Sequence, residues 1–173
     1  GNVTYLKPFN LKELKNYLDE IKNFEFLAGG RDLNLQRPII NQKEDKVICL
    51  GSIVELSKIM HLKEKIVFGG GVTIESFLEA IKPKMPELVE ILQRFGSPQI
   101  RNQGTIGGNL CTSSPIGDIA PILLVLNSNL KVFGRNGFKK INIKNFLKVY
   151  LKNIMKKDEI ITSFELPIAN NKN

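Results

Sequence analysis

Two stretches of the sequence are bare of large side chains yet lie beside apolar segments: AGGRDL at 28–33 and GTIGGN at 104–109. Glycine reaches positive φ without a Cβ penalty and leaves backbone N–H groups uncovered, so consecutive amides can converge on an anion. A pyrophosphate suits such a pair of loops. Each amide bond to a charged oxygen contributes about 1.5–3 kcal/mol, and several hold a dinucleotide without any lysine. Thr105 and Asn109 flank Ile-Gly-Gly with a hydroxyl and an amide, and Ser113, Ser114 and Asp118 continue the polar edge. Such groups suit a ribose, a phosphate or a heteroaromatic ring edge. One Gly-Gly pair is ordinary turn chemistry, but two such loops weaken that reading.

Other chemistries are poorly served. No G-x-x-x-x-G-K-[ST] is present, and no G-x-G-x-x-G opens a helix after the first strand, which argues against a P-loop NTPase and a Rossmann dehydrogenase. Cys49 and Cys111 are far apart and form no C-x-x-C, so the chain cannot itself ligate a structural zinc or an iron–sulfur cluster. They read as two thiols in a reducing compartment. His61, the single histidine, has no acid or serine nearby that suggests a triad. No general acid or base stands out.

The elements that must carry the two loops follow from periodicity. Asn10 precedes LKELKNYLDEI, in which Leu11, Leu14, Leu18 and Ile21 share a face and Glu13 completes a capping pattern, so a first helix is expected. FEFLA is a short strand ending at Gly29-Gly30, and VICL at 47–50 is another, with a short helix expected between them. SIVELSKI reads as a second helix, and KIVFGGGV as a strand running into three glycines. Thr73 caps IESFLEAI, Pro86 opens ELVEILQRF, and Asp118 caps IAPILLVLN, with Pro121 in its first turn. LKVFG and FKKINI around Arg135-Asn136-Gly137 form a hairpin, followed by a short helix near NFLKVY and a last strand in EIITSFELP. The second half therefore reads as an antiparallel sheet carrying helices.

With 173 residues, 42% of them hydrophobic, the chain buries a real core as one domain or two packed lobes. The N-terminus GNVTYLKPF shows neither a basic leader nor a hydrophobic signal core, and no apolar run reaches membrane-spanning length, so a cytoplasmic location is expected. Gly1 and the ending NNKN suggest a piece of a longer polypeptide. The net charge of +8 would attract nucleic acid, an anionic cofactor or an acidic partner, but the lysines are scattered over polar faces rather than gathered in one block. A non-catalytic nucleotide or nucleic-acid binding domain is the alternative that this charge keeps open.

AGGRDL, FGGGVT and above all GSPQIRNQGTIGGNLCTSSPIGDIAPILL resemble the FAD-binding domain of the molybdenum hydroxylases, the group that includes xanthine dehydrogenase and the medium subunit of carbon monoxide dehydrogenase. The resemblance runs in order from YLKPFNLKEL to EIITSFELP, and the S-P-I-G-D ending is most similar to the xanthine dehydrogenase branch. It implies an α+β, two-lobed FAD-binding fold of the PCMH or vanillyl-alcohol-oxidase type. A small α/β lobe (1–54) would carry the first glycine loop. A larger lobe (55–173), with an antiparallel sheet and helices, would carry the second. The family's usual third, C-terminal subdomain is expected to be absent from this sequence.

Carried over residue by residue, the resemblance implies cofactor contacts from Phe26, Leu27, Ala28, Gly29, Gly30, Arg31, Asp32 and Leu33, and from Thr105, Ile106, Gly107, Gly108 and Asn109. Phe95 matches a position against the cofactor, Asp118 one that bonds its polar part, and Thr162 one near the ring that is usually aliphatic. The family usually has Thr where Arg31 stands, which adds a cation facing either a phosphate or solvent. The implied activity is an electron relay. Electrons leave molybdopterin and iron–sulfur centres on partner chains or domains, pass through FAD and reach NAD or another acceptor. A flavin oxidase with covalently attached FAD is the other enzyme reading, but it usually needs a His or Cys near the first loop, and neither lies there.

Overall fold

In the computed structural model, residues 3–30, 46–114, 117–149 and 152–168 are described. The first helix, α1 (Leu11–Glu20), starts as its capping pattern dictates: the Asn10 side chain accepts the Glu13 amide at 2.9 Å, and Glu13 in turn accepts the Phe9 amide. It packs Leu14 and Leu18 on a three-stranded parallel sheet of order β1 (Thr4–Leu6), β3 (Lys46–Cys49), β2 (Glu25–Leu27). The short helix expected after the first glycine loop falls outside the described residues.

SIVELSKI is not an α-helix. It forms two 3₁₀ turns at Leu50–Ser52 and Val54–Ser57, and Ile59–His61 is already strand β4. The buried residues explain this: Ile53 and Leu56 lie three apart, the spacing that a 3₁₀ turn eclipses on one side. β4 begins a five-stranded antiparallel sheet of order β4, β5 (Lys65–Gly69), β10 (Ile160–Pro167), β6 (Asn129–Gly134), β7 (Gly137–Asn142). The expected hairpin is present, with Gly134 opposite Gly137 across a two-residue turn. The segment near NFLKVY divides into a four-residue helix, α7 (Ile143–Phe146), and a short strand, β8 (Leu147–Val149), paired with β9 (Lys152–Asn153).

Helices α2 (Ile74–Ile81), α3 (Pro86–Leu92), α5 (Ile106–Thr112) and α6 (Ile119–Val125) pack with one face of this sheet in the larger core, and α4 (Pro98–Gln103), which buries no residue, lies between α3 and α5 in the chain. Phe68, Phe77 and Phe164 cluster at its centre with centroids 4.8–5.9 Å apart, Phe68 stacked on Phe164 and Phe77 edge-on to Phe68. On the sheet's other face Glu165 takes Lys65 at 3.0 Å and Lys140 at 3.3 Å. Partial burial pushes its carboxyl up, but these two lysines outweigh that and hold it below the usual range.

The two sheets are fastened to each other. Phe133 of β6 and Ile160 of β10 reach into the core formed by Leu14, Leu18, Phe24 and Ile48. Arg135, in the β6–β7 turn, donates to the Leu18 carbonyl through Nε and to the Ile21 carbonyl through Nη2 at 2.7 Å. No basic residue lies in the last turn of α1, so this distant arginine supplies the cation that its free carbonyls attract. Replacing it (Arg135→Ala) forfeits two charge-assisted bonds. It should lower unfolding stability by about 2–4 kcal/mol in urea titration, since each such bond contributes about 1.5–3 kcal/mol before relaxation.

Candidate functional site

The two glycine loops touch. After β2 the chain turns through Ala28 and Gly29 to Gly30, whose φ is +73°. Gly29 then lies flat against the end of α4: a Cβ on it would sit 2.1 Å from the Gln103 carbonyl oxygen. Any side chain there would force the two loops apart.

GTIGGN is the start of a helix rather than an open loop. Thr105 caps α5, its Oγ1 accepting the Gly108 amide at 3.2 Å. The neighbouring amides also have partners inside the chain: Ile106 to the Val72 carbonyl, Gly107 to Gly70 at 2.9 Å, and Asn109 to Thr105. The bareness of Gly107 serves that Gly70 contact, because a Cβ would stand 2.5 Å from the Gly70 oxygen. These amides, expected from sequence to face an anion, are therefore engaged inside the chain, that of Gly107 joining α5 to the glycine run 69–71. Side chains and loop edges provide what is presented to solvent.

What they border is a cleft of about 910 Å3 between the lobes. Of the residues singled out from sequence, Phe26, Ala28, Gly29, Gly30, Phe95, Thr105, Gly107, Gly108 and Asn109 line it. Leu27 does not, and Ile106 is fully buried behind the wall. Arg31, Asp32 and Leu33 lie outside the described residues. Asp118 occupies the residue before α6 but makes no side-chain cap bond. It is exposed, and Gly117 lines the cleft in its place. The capping expected of Asp118 fails because its backbone is already helical, at φ −78° and ψ −20°.

Thr162 is displaced by one residue from the expected wall. A β-bulge between Ile161 and Ser163 leaves Thr162 as the extra residue, so its hydroxyl donates to the Lys131 carbonyl at 3.0 Å while its own carbonyl accepts the Gly70 amide. Ile160 and Ile161 line the cleft instead. The wall is thus aliphatic, which a strict strand alternation read from sequence misses.

Polar groups gather at α5 and beyond it. Among the described residues the Asn109 carboxamide has no hydrogen-bond partner, although it borders the cleft. Ser113 ends α5 in the left-handed region at φ +51°, and Asn153 holds it there, donating to the Ser113 hydroxyl at 2.9 Å and to the Cys111 carbonyl at 2.8 Å. Lys157 and Glu25, both lining residues, face each other across the lobes at 3.4 Å. Cys111 also opens onto the cleft. The protein packed around its thiol disfavours the thiolate and pushes it up to about 12. Ile161, Asn153 and Cys111 carry no sequence signal for this role. Their places come from the bulge and from pairing across distant elements.

The architecture is shared with solved structures. A carbon monoxide dehydrogenase chain from Hydrogenophaga pseudoflava aligns over 99% of this chain and 61% of its own length with a TM-score of 0.89 at 21% identity. Quinoline 2-oxidoreductase from Pseudomonas putida 86 aligns over 98% and 60% with the same TM-score. The fold is therefore the two-lobed, PCMH-type FAD-binding fold. Residues 1–169 match the family described as the FAD binding domain in molybdopterin dehydrogenase, and the chain belongs to that family. It is 27% identical over 179 residues to xanthine dehydrogenase/oxidase of Gallus gallus, covering 96% of this chain and 13% of that protein. It is 30% identical over 166 residues to the nicotinate dehydrogenase FAD-subunit of Eubacterium barkeri, covering 91% of this chain and 56% of that subunit. The chain thus spans only part of the relatives it matches. Among the described residues no helix is long and apolar enough to cross a membrane.

Two outcomes follow from this geometry. Gly29→Ala should destabilise the chain by about 2–3 kcal/mol or leave it unfolded, because backbone on both sides of the contact leaves no soft atom to yield. Alkylation of Cys111 should be slow at neutral pH and keep accelerating past pH 9 as the thiolate forms, which peptide mapping separates from Cys49.

Proposed function

We propose that the chain is the FAD-holding module of a molybdenum hydroxylase and passes electrons between that enzyme's metal centres and a final acceptor. The observation that carries this reading is the cleft at the meeting of the two glycine loops. Its volume of about 910 Å3 lies within the range of roughly 300–1,000 Å3 typical of cofactor sites, near the upper end that a dinucleotide fills.

The lining residues suit the two halves of such a ligand. Phe95, Ile160 and Ile161 offer an apolar wall for a ring system. The Asn109 carboxamide, the Thr105 side chain and the backbone of Ala28–Gly30 offer polar contacts to ribose and pyrophosphate. Within this reading Arg31, Asp32 and Leu33 also contact the cofactor, and Asp118 bonds its polar part. Leu27, Ile106 and Thr162 support the wall from behind. The cofactor would lie between a lobe of residues 1–54 and a lobe of residues 55–173. FAD supplies the redox chemistry when bound. The chain's own residues orient it, exclude water along the apolar wall and leave its edge open to a partner.

The partners in this proposal are an iron–sulfur domain or subunit and a molybdopterin-binding subunit, with NAD or another acceptor taking the electrons, in the cytoplasm. Membership of an FAD-binding family favours this over the nucleic-acid alternative that the charge of +8 keeps open. A visible absorption spectrum tests the reading: the 173-residue chain, mixed with FAD and desalted, should keep the flavin bands. Asn109→Ala should weaken retention by about tenfold, the value of one well-placed polar contact. Bound FAD should also shield Cys111 from alkylation. A chain that stays colourless and unshielded at saturating FAD would overturn the proposal.

A further inference from the structure

Phe95 lines the cleft just beyond the end of α3: its amide donates to the Leu92 carbonyl at 3.0 Å, its side chain packs against the larger core, and it precedes Gly96, whose φ is +56°. Such a short connection has no ladder to fix it. Its carbonyls are held instead by one side chain from the next helix. Arg101 of α4 donates through Nη1 to the Gln93 carbonyl at 3.2 Å and to the Gly96 carbonyl at 3.0 Å, gripping the chain on both sides of Phe95. Its Nε donates to Glu75 in the first turn of α2, and the arginine side chain is only 11% exposed.

We infer that Arg101 is a positioning residue for the cleft, setting the place of the Phe95 ring through the Gln93 and Gly96 carbonyls. The planar guanidinium is well shaped for this: one end is anchored on a carboxylate while another nitrogen is aimed at two oxygens, which a lysine ammonium cannot reproduce. Ile100, the neighbour of Arg101, also lines the cleft and packs its side chain where a Cβ on Gly96 would fall, at 2.9 Å. The same helix therefore braces the turn from two sides. Arg101 itself does not line the cleft, so it acts without touching a ligand there.

For FAD as the ligand this inference rests on the reading proposed above, and its first test needs no ligand. Hydrogen exchange on the full chain without FAD should show faster exchange at residues 93–97 in Arg101→Gln, with α1 and the five-stranded sheet unchanged. Unchanged exchange at 93–97 would overturn the inference. A general acceleration marking a merely structural role would overturn it too. The second test is a double-mutant cycle on FAD affinity, followed by flavin fluorescence. Arg101→Gln and Phe95→Leu should each weaken binding by about tenfold, and the pair should be little weaker than Phe95→Leu alone, because coupled residues are non-additive. Multiplying effects would overturn the route through Phe95. If the unaltered chain bound no FAD, the cofactor reading would fall, and the exchange result would still decide the role of Arg101.

Discussion

Backbone-on-backbone contact without an intervening Cβ is the constraint on which the rest of this structure depends. Gly29 meets Gln103, Gly69 meets Leu56, Gly70 meets Ile161 and Gly107 meets Gly70, each at a distance that a methyl group would fill. These contacts run from the first loop, through the 3₁₀ turn, to the start of α5 and the bulge in β10. They place the polar edge of α5 opposite the apolar wall of Ile160 and Ile161, and so define the cleft. The seam is short-range and steric, so it fixes spacing more tightly than hydrophobic packing does.

Much of this organisation can be read from the residues. The Asn10–Glu13 capping pattern, the Thr73 cap, the hairpin at Arg135–Asn136 and the final strand all stand where local patterning puts them, because each is decided by residues within a few positions. The 3₁₀ turns at 50–57 differ because Ile53 and Leu56 are fixed by a core that residues 133 and 160 help to build. The glycine loops are the instructive case. Their bareness is legible as a demand for close approach, but the approaching group at Gly29 and Gly107 is the protein's own backbone. Thr162 shows the limit of alternation, since a bulge that only the paired strand defines moves the wall by one residue.

Arg101 and Arg135 solve the same problem in different places. Each is a guanidinium supplied to carbonyl oxygens that end a helix or a turn, from across the fold at the end of α1 and from the next helix around Phe95. Neither is recognisable in sequence, because the carbonyls it holds are main-chain atoms and carry no residue identity. Such arginines convert a fold's loose ends into fixed geometry.

The fastening of the lobes by Phe133, Ile160 and Arg135 has a consequence for how a ligand comes and goes. A cleft that closes like a jaw spends part of its binding energy on ordering itself, whereas a slot already held at full width does not. The same stiffness withholds any opening stroke that would speed escape. Under the proposed function, a molecule seated here would be kept as a resident part and renewed rarely.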